Sequence, residues 1–123
     1  MGNKKHIKLI RRDTGEVLIE SARWCESRLC RLRGLQFSTS PKPGEGLLLV
    51  MAKESIASTS IHMFFVFFPI AAVWINDLGR VTHTTLALPW RPFYASPDPA
   101  RYVLETTPDF LEKVKVGDEV DFV

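Results

Sequence analysis

The sequence contains only two cysteines, and this small number excludes several kinds of protein. Cys25 and Cys30 cannot build the framework of several disulfides that holds small secreted domains together. Their spacing of four intervening residues lacks the second ligand pair of a structural zinc site, and it is longer than the spacing of C-x-x-C redox motifs. We therefore expect two reduced, partly buried thiols, and we expect no metal site and no cofactor.

Long apolar runs are also missing. The most apolar stretch, residues 61–75, is shorter than the roughly 20 residues that span a bilayer, and it contains His62 and Pro69. The first residues show no apolar signal-peptide region, and His6 stands where a myristoylation pattern needs Ser or Thr. The sequence predicts a soluble, cytoplasmic protein that has no membrane contact.

Motifs of known reactions are absent as well. The chain has no glycine-rich phosphate loop after a strand and no Gly-x-Ser-x-Gly nucleophile elbow. Its three histidines lie far apart in sequence and have no local cluster of metal ligands around them. We assign no catalytic residue, and the sequence favours a protein that is not an enzyme without deciding the question.

Length and composition indicate one globular domain. The chain has 123 residues, of which 46% are hydrophobic and 24% charged. The net charge of +2 is unevenly placed, because residues 1–33 contain nine Lys or Arg and four Asp or Glu, whereas the remainder contains seven and ten. A polyanion-binding function of this basic N-terminal third is a weak alternative. A nucleic-acid partner is not expected, because no nucleic-acid-binding motif accompanies the charge.

Turn residues divide the chain into short segments with strand patterns. The predicted strands are residues 6–12, 16–25, 47–51, 61–68, 71–75, 80–87, 102–106 and 119–123. Two short helices are predicted, at 28–33 and 109–114; Ser27 should cap the first, Leu29 and Leu32 should face inward, and Gly34 should end it. Because long helices do not alternate with strands, residues 1–123 should form a single mainly β domain, either an antiparallel sandwich or a jelly-roll-like or barrel-like domain.

The loop at residues 88–101 is the leading candidate for a binding surface. Trp90, Arg91 and Tyr94 combine apolar area with a cation and a phenol, as partner-binding surfaces often do, and four prolines stiffen the loop. We predict a non-catalytic binding module that uses this loop and the adjoining strand ends, with an unknown protein or small molecule as partner. The alternative that Trp90 and Tyr94 only cover the open end of the sandwich stays open, as does the oligomeric state.

His62 is the remaining candidate, because it lies within an apolar segment. A neutral imidazole that hydrogen-bonds a buried carbonyl is the simplest expectation. The alternative is a small enzyme with a pocket around His62, Arg91 and Arg101. Arg101 could face a ligand or pair with a carboxylate such as Glu105, and the sequence does not decide between the two.

Six short motifs follow one another in a familiar order. They are Arg31-Leu32-Arg33-Gly34-Leu35, Gly44-Glu45-Gly46-Leu47-Leu48, Ile61-His62-Met63-Phe64-Phe65, Asn76-Asp77-Leu78-Gly79-Arg80-Val81, Ala100-Arg101-Tyr102-Val103-Leu104-Glu105 and Val116-Gly117-Asp118-Glu119-Val120. Together they make the chain, over roughly residues 5–122, similar to the prokaryotic domain-of-unknown-function family 192. The resemblance implies a compact, jelly-roll-like β domain with one or two short helices and no established reaction. The chain departs from many members at residues 64–67, which are apolar here, and at Ala71, where those members have an aspartate.

Overall fold

In the computed structural model, which describes residues 5–123, seven strands form one curled sheet that is shaped like half a barrel. The strands are β1 (His6–Arg11), β2 (Val17–Cys25), β3 (Glu45–Ser55), β4 (Ile70–Ile75), β5 (Val81–Ala87), β6 (Ala100–Thr106) and β7 (Val120–Phe122). Their order across the sheet is β5-β4-β6-β3-β2-β1-β7. The prediction of a mainly β, barrel-like domain with short helices is confirmed. The expectations about a signal peptide and myristoylation concern the first residues of the chain, of which residues 1–4 lie outside the described residues.

One strand pair departs from the antiparallel pattern. β2 and β3 are parallel, whereas the other neighbouring pairs are antiparallel. A parallel pair needs a connection that crosses the sheet. Here that connection contains the helix α1 (Arg28–Arg33) and the irregular residues 34–44. The crossover therefore brings α1 over one face of the sheet.

The helix α1 begins and ends as its sequence predicts. The Ser27 hydroxyl accepts a hydrogen bond from the Cys30 N–H at 3.1 Å, and Gly34 has a φ of 51° at the C-terminal end. The prediction that Leu29 and Leu32 face inward is wrong, because these side chains are 76% and 68% exposed. No residue of α1 is buried. Apolar burial therefore does not fix this helix to the sheet.

A disulfide between Cys25 and Cys30 provides that attachment. Cys25 ends β2 and Cys30 lies in α1, and their Cα atoms are 5.7 Å apart, a normal separation for a disulfide. The prediction of two reduced thiols is therefore wrong. The spacing was misleading because the turn at Ser27 folds the first turn of α1 back over the end of β2.

The two faces of the sheet have separate apolar cores. The inner face contributes residues from all seven strands, among them Leu9, Leu48 and Leu104, and Phe110 from the 3-10 helix Pro108–Glu112 packs against them. The outer face carries Leu47, Leu49, Met51, Ile70, Trp74 and Val103. Within the described part of the chain, no helix is long and apolar enough to cross a membrane.

The predicted strand at residues 61–68 is not formed. Only Ile61 makes an isolated bridge, to Tyr94, and a turn follows in which the Val66 N–H donates to the Met63 carbonyl at 3.2 Å. Strand propensity expresses fit to a pleated, half-buried surface rather than an intrinsic preference of the backbone. The segment instead covers the outer face together with the 88–101 loop, and Phe65 has a φ of 60°, which interrupts any extended conformation.

Candidate functional site: an aromatic cluster beside a cleft under α1

Four aromatic side chains form one exposed group, which we call the aromatic cluster: Phe37, Phe65, Phe67 and Trp90. The ring centroids of Phe37 and Phe65 are 4.8 Å apart, and Trp90 lies 4.9 Å from Phe65 and 5.6 Å from Phe67. Each side chain is between 41% and 66% exposed. The cluster therefore presents aromatic area to solvent in a fixed mutual arrangement.

The backbone under the cluster is unusual. Among the described residues, Phe37, Phe65 and Trp90 are the only non-glycine residues with positive φ, at 58°, 60° and 67°. A bulky residue in this region costs of order 1–3 kcal/mol and persists only where its surroundings hold it. The Phe37 N–H donates to the Phe65 carbonyl at 2.9 Å, and the Trp90 N–H donates to the Met63 carbonyl at 2.8 Å. These bonds hold three strained residues so that their rings meet.

The other predicted residues of the 88–101 loop have different surroundings. The Arg91 carbonyl accepts from the Met63 N–H at 2.7 Å, while the Arg91 side chain is exposed. Tyr94 exchanges two backbone hydrogen bonds of 2.9 Å with Ile61, and its hydroxyl accepts from the Leu88 N–H at 3.0 Å. Tyr94 also packs against the outer-face core. It therefore anchors the loop, whereas Trp90 and Arg91 face outward.

The Arg101 side chain makes its polar contacts with residues outside the 88–101 loop. Its Nε donates to the Met51 carbonyl at 2.9 Å, and its Nη1 is 3.4 Å from Asp77 Oδ1. Of the two roles considered for Arg101, pairing with Glu105 is therefore not observed. The cleft that His62 lines is not lined by Arg91 or Arg101. The three residues of the enzyme alternative are thus not brought into one pocket there.

His62 is only half-buried, and its contacts differ from those expected. Its Nδ1 accepts a hydrogen bond from the Phe64 N–H at 3.2 Å, and its Nε2 lies 3.3 Å from the Gln36 side-chain amide nitrogen. The expected hydrogen bond to a buried carbonyl is therefore wrong. The reason is local, since the chain turns after His62 instead of continuing as a strand, and the turn brings the N–H two residues later back to the ring.

A cleft of about 260 Å³ lies between α1 and the outer face of the sheet, and we call it the α1 cleft. Its apolar floor includes Leu49, Met63, Val66 and Ile70. The charged or titratable side chains along it are Arg28, Arg31, Arg33, His62 and Glu105. A small concave site with an apolar floor and a few convergent polar groups is typical of a ligand site.

Glu105 is the most unusual group in the α1 cleft. It lies in β6 opposite Leu47 of β3 and Ala72 of β4, and it is 4% exposed. Its Oε1 has no hydrogen-bond partner among the described residues. Burial raises the pKa of the Glu105 carboxyl from its ordinary value of 4.5 to about 7. A substantial fraction of this carboxyl is therefore protonated at neutral pH.

Arg31 brings a second group without a polar partner to the α1 cleft. Its Nη1 lies 3.0 Å from the Met51 sulfur, a weak acceptor. Its Nε is buried and has no hydrogen-bond partner in residues 5–123, where Arg31 makes no ion pair either. Arg31 also lies in the last turn of α1, where a cation interacts favourably with the helix dipole. The available signal in the sequence was Glu105, an acidic residue that directly follows the apolar pair Val103 and Leu104 in a segment with a strand pattern.

The basic N-terminal third is partly neutralised by the acidic C-terminal residues. Arg11 lies 3.1 Å from Asp118, and Arg12 lies 3.0 Å from Asp121. These pairs form because β1 and β7 are neighbours in the sheet. Ion pairs therefore neutralise part of the positive charge of the N-terminal third in the folded chain, which leaves less free positive charge for a polyanion.

A family model described as "Uncharacterized ACR, COG1430" (DUF192) matches residues 9–122. One relative, a UPF0127 protein of Thermococcus sibiricus, is 28% identical over 93% of this chain and 73% of its own length. Another, the UPF0127 protein PF1050 of Pyrococcus furiosus, is 31% identical over 87% of this chain and 90% of its own.

Two crystal structures have the same fold. One, from Sinorhizobium meliloti 1021, was provisionally described as a transcription regulator; it has a TM-score of 0.84 and 20% identity and covers 98% of this chain and 94% of that one. The other, a protein of unknown function from Novosphingobium aromaticivorans, has a TM-score of 0.82 and 17% identity over 96% of this chain and 84% of its own. At these identities the likeness concerns the fold alone.

Proposed function

Given that the chain belongs to DUF192, a family described only as uncharacterised, we propose that it is a non-catalytic binding module whose partner surface is the aromatic cluster together with Arg91, the exposed neighbour of Trp90 in the 88–101 loop. The partner is a protein that places apolar side chains on the cluster. The observation that carries the proposal is that three of the four cluster rings, those of Phe37, Phe65 and Trp90, are held outward by residues with positive φ.

Exposed aromatic area supports a protein partner. Aromatic side chains dominate the binding energy of many interfaces, because each buries a large area and loses little conformational freedom. A contiguous exposed apolar patch is also unfavourable in a free protein and often marks an interaction site. The aromatic cluster combines both features at the junction of residues 37, 65–67 and 90.

The arrangement is also formed before any partner binds. The strained φ angles of Phe65 and Trp90 and the hydrogen bonds beneath them fix the rings in the free chain. Groups that are already ordered do not lose that freedom on association, so more of the contact energy contributes to affinity. The proline-rich loop and its anchor at Tyr94 act in the same direction.

Arg91 lies beside Trp90 in the chain, and its exposed side chain places a cation near the cluster. A cation at the edge of an apolar patch speeds association with an acidic partner more than it increases affinity. We therefore propose a partner segment that has apolar residues flanked by Asp or Glu.

The surroundings of His62 favour binding over catalysis. General acid–base catalysis needs a group with a suitable pKa within hydrogen-bond reach of the reacting atoms. His62 is oriented by a backbone N–H and the Gln36 amide, and no carboxylate contacts it among the described residues. The enzyme alternative would need a ligand or a movement to join His62 to Arg91 and Arg101.

A displayed peptide library tests the proposal. The library is selected on the wild-type chain and then screened against Trp90→Ala and Phe65→Ala. Phe93→Ala is the matched control. Phe93 is as exposed as Phe37 and lies in the same loop as Trp90, but among the described residues its ring makes no contact with the rings of the aromatic cluster. We expect enriched peptides to carry apolar and acidic residues and to lose binding to the first two variants only. Enriched peptides that bind all three variants as they bind the wild type contradict the proposal.

The cytoplasmic location stays a prediction, and the Cys25–Cys30 disulfide weighs against it. Disulfides persist mainly in oxidising compartments, although intracellular proteins of hyperthermophiles are an exception. Fractionation of cells that are alkylated before lysis tests the location. Recovery of the chain in the cytoplasmic fraction supports the prediction, and recovery only outside the cytoplasm contradicts it, whatever the redox state of Cys25 and Cys30.

A further inference from the structure

We propose that the α1 cleft is a second, separate binding site, and that it takes a small organic carboxylate held between the Nε–H of Arg31 and the carboxyl of Glu105. The apolar part of this ligand lies on the floor formed by Leu49, Met63, Val66 and Ile70. This site does not depend on the partner surface proposed above.

The donor side of the site is the Arg31 guanidinium. A buried donor without an acceptor is costly, and buried charges are normally paired. The Nε of Arg31 has no acceptor among the described residues, and Nη1 has only the Met51 sulfur. A guanidinium edge matches the two oxygens of a carboxylate closely. A carboxylate therefore supplies what this group lacks.

The opposite side is the Glu105 carboxyl. Its Oε1 also lacks a partner, and a Cβ built on Gly34 would lie 3.6 Å from it, so this oxygen is directly below the end of α1. In its protonated form the carboxyl donates an O–H to the second oxygen of a bound carboxylate. The bound carboxylate then accepts hydrogen bonds from both Arg31 and Glu105, so neither side chain is left without a partner.

The other charges of the cleft favour an anion over a cation. Arg28, Arg31 and Arg33 line it, together with His62, whereas Glu105 is its single acidic side chain. An ammonium ligand would face three guanidinium groups and one carboxyl that burial keeps partly neutral. Charge complementarity therefore selects a carboxylate.

The volume of the cleft limits the size of the ligand. About 260 Å³ is below the roughly 300–1,000 Å³ of sites that hold drug-sized molecules. The floor has no charged group, so the rest of the ligand is apolar. A monocarboxylate with a short hydrocarbon chain fits both conditions, and hexanoate is a suitable probe.

Hexanoate and hexylamine are titrated into the ¹⁵N-labelled chain, and the backbone signals of residues 31–35 and the Nε–H signal of Arg31 are followed by NMR. We expect saturable shifts with hexanoate and none with hexylamine. Arg31→Gln and Glu105→Leu should each weaken hexanoate binding by at least about tenfold, since each removes a charge-assisted hydrogen bond. Glu105→Gln keeps a donor at that position and should retain binding.

Arg80→Gln is the matched control for Arg31→Gln, because it makes the same substitution at an exposed arginine that does not line the α1 cleft. It should change hexanoate affinity by less than about twofold, as expected for an exposed charge. Absence of saturable hexanoate shifts, or equal losses in both arginine variants, overturns the inference. Trp90→Ala should leave hexanoate binding intact, so failure of the aromatic cluster as a partner surface is distinguished from failure of this site.

Discussion

The rings of Phe37 and Phe65 stack with their centroids 4.8 Å apart, and the N–H of Phe37 donates to the carbonyl of Phe65 at 2.9 Å. Both residues have positive φ. One contact therefore joins the crossover after α1 to the segment that precedes β4, and it does so with two strained residues. The aromatic cluster exists because this strain is balanced by ring and backbone contacts between segments that are distant in sequence.

Phe65→Gly should be more stable than Phe65→Ala by about 1 kcal/mol. Both variants lose the ring, but only glycine relieves the strain of a φ of 60°. Phe67 provides the control, because it belongs to the same cluster without positive φ, so Phe67→Gly should be less stable than Phe67→Ala. Urea unfolding of the four variants gives the two differences. A glycine penalty of equal size at both positions would show that Phe65 carries no backbone strain.

Gly34→Ala should destabilise the chain by about 1 kcal/mol. A Cβ at this position meets Glu105 Oε1 at an ordinary contact distance of 3.6 Å, so the effect comes from the φ of 51° and not from a clash. Gly79→Ala should be worse, because there a Cβ would also lie 2.5 Å from the Val120 carbonyl oxygen. Thermal unfolding ranks the two variants, and the reverse order would contradict this account of α1 and the β4–β5 turn.

The pH dependence of unfolding should contain a large contribution from Glu105. Its pKa in the folded chain, about 7, exceeds the ordinary 4.5, so the folded form binds this proton more tightly than the unfolded form. The contribution of this proton to the stability of the folded chain is complete below pH 4.5 and is lost as the pH rises through 7. At about 1.4 kcal/mol per pH unit, the loss amounts to about 3 kcal/mol.

Glu105→Gln should remove that fall in the free energy of unfolding between pH 4.5 and 7. Glu112→Gln changes an exposed carboxylate of the 3-10 helix and should leave the fall unchanged. Denaturant unfolding at several pH values measures the effect. If Glu105→Gln follows the wild-type pH profile throughout, the carboxyl is not buried as the structure places it.

Cys30→Ser should loosen α1 more than the sheet. The disulfide closes a short loop, and the chain-entropy relation gives about 2 kcal/mol of stabilisation for it. Because no residue of α1 is buried, the amides of residues 28–33 should exchange much faster in the variant. The exchange protection of the amides of β3 and β6 should fall only by the amount that corresponds to the loss of global stability. Unchanged exchange in α1 would mean that the helix is held by other contacts.

Much of the fold could be predicted because it is encoded locally. The turns at Gly15 and Gly79 and the helix signals at Ser27 and Gly34 depend on a few adjacent residues, and their elements agree closely with the structure. Trp24 packs with Leu18 and Ala22 on the inner face, as strand alternation predicts.

The rest depends on partners that are distant in sequence. The segment at residues 61–68 has strong β propensity, yet it pairs with the 88–101 loop and leaves Phe65 outside the sheet. The burial of Glu105 follows from its neighbours in β3 and β4, and the role of Arg31 follows from where the parallel β2–β3 crossover places α1. Trp90 could be identified from composition alone, whereas its contacts with Phe65 and Phe67 could not.

The affinity of one enriched peptide for Trp90→Ala, compared by calorimetry with its affinity for Phe93→Ala, tests the proposed function most directly. Removing an aromatic ring from the centre of a binding surface typically costs about 2 kcal/mol or more, which corresponds to a loss of about thirtyfold or more in affinity. We expect that loss for Trp90→Ala and a change of less than about twofold for Phe93→Ala, with both variants folded. Equal affinities of the two variants and the wild type would contradict a partner surface at the aromatic cluster.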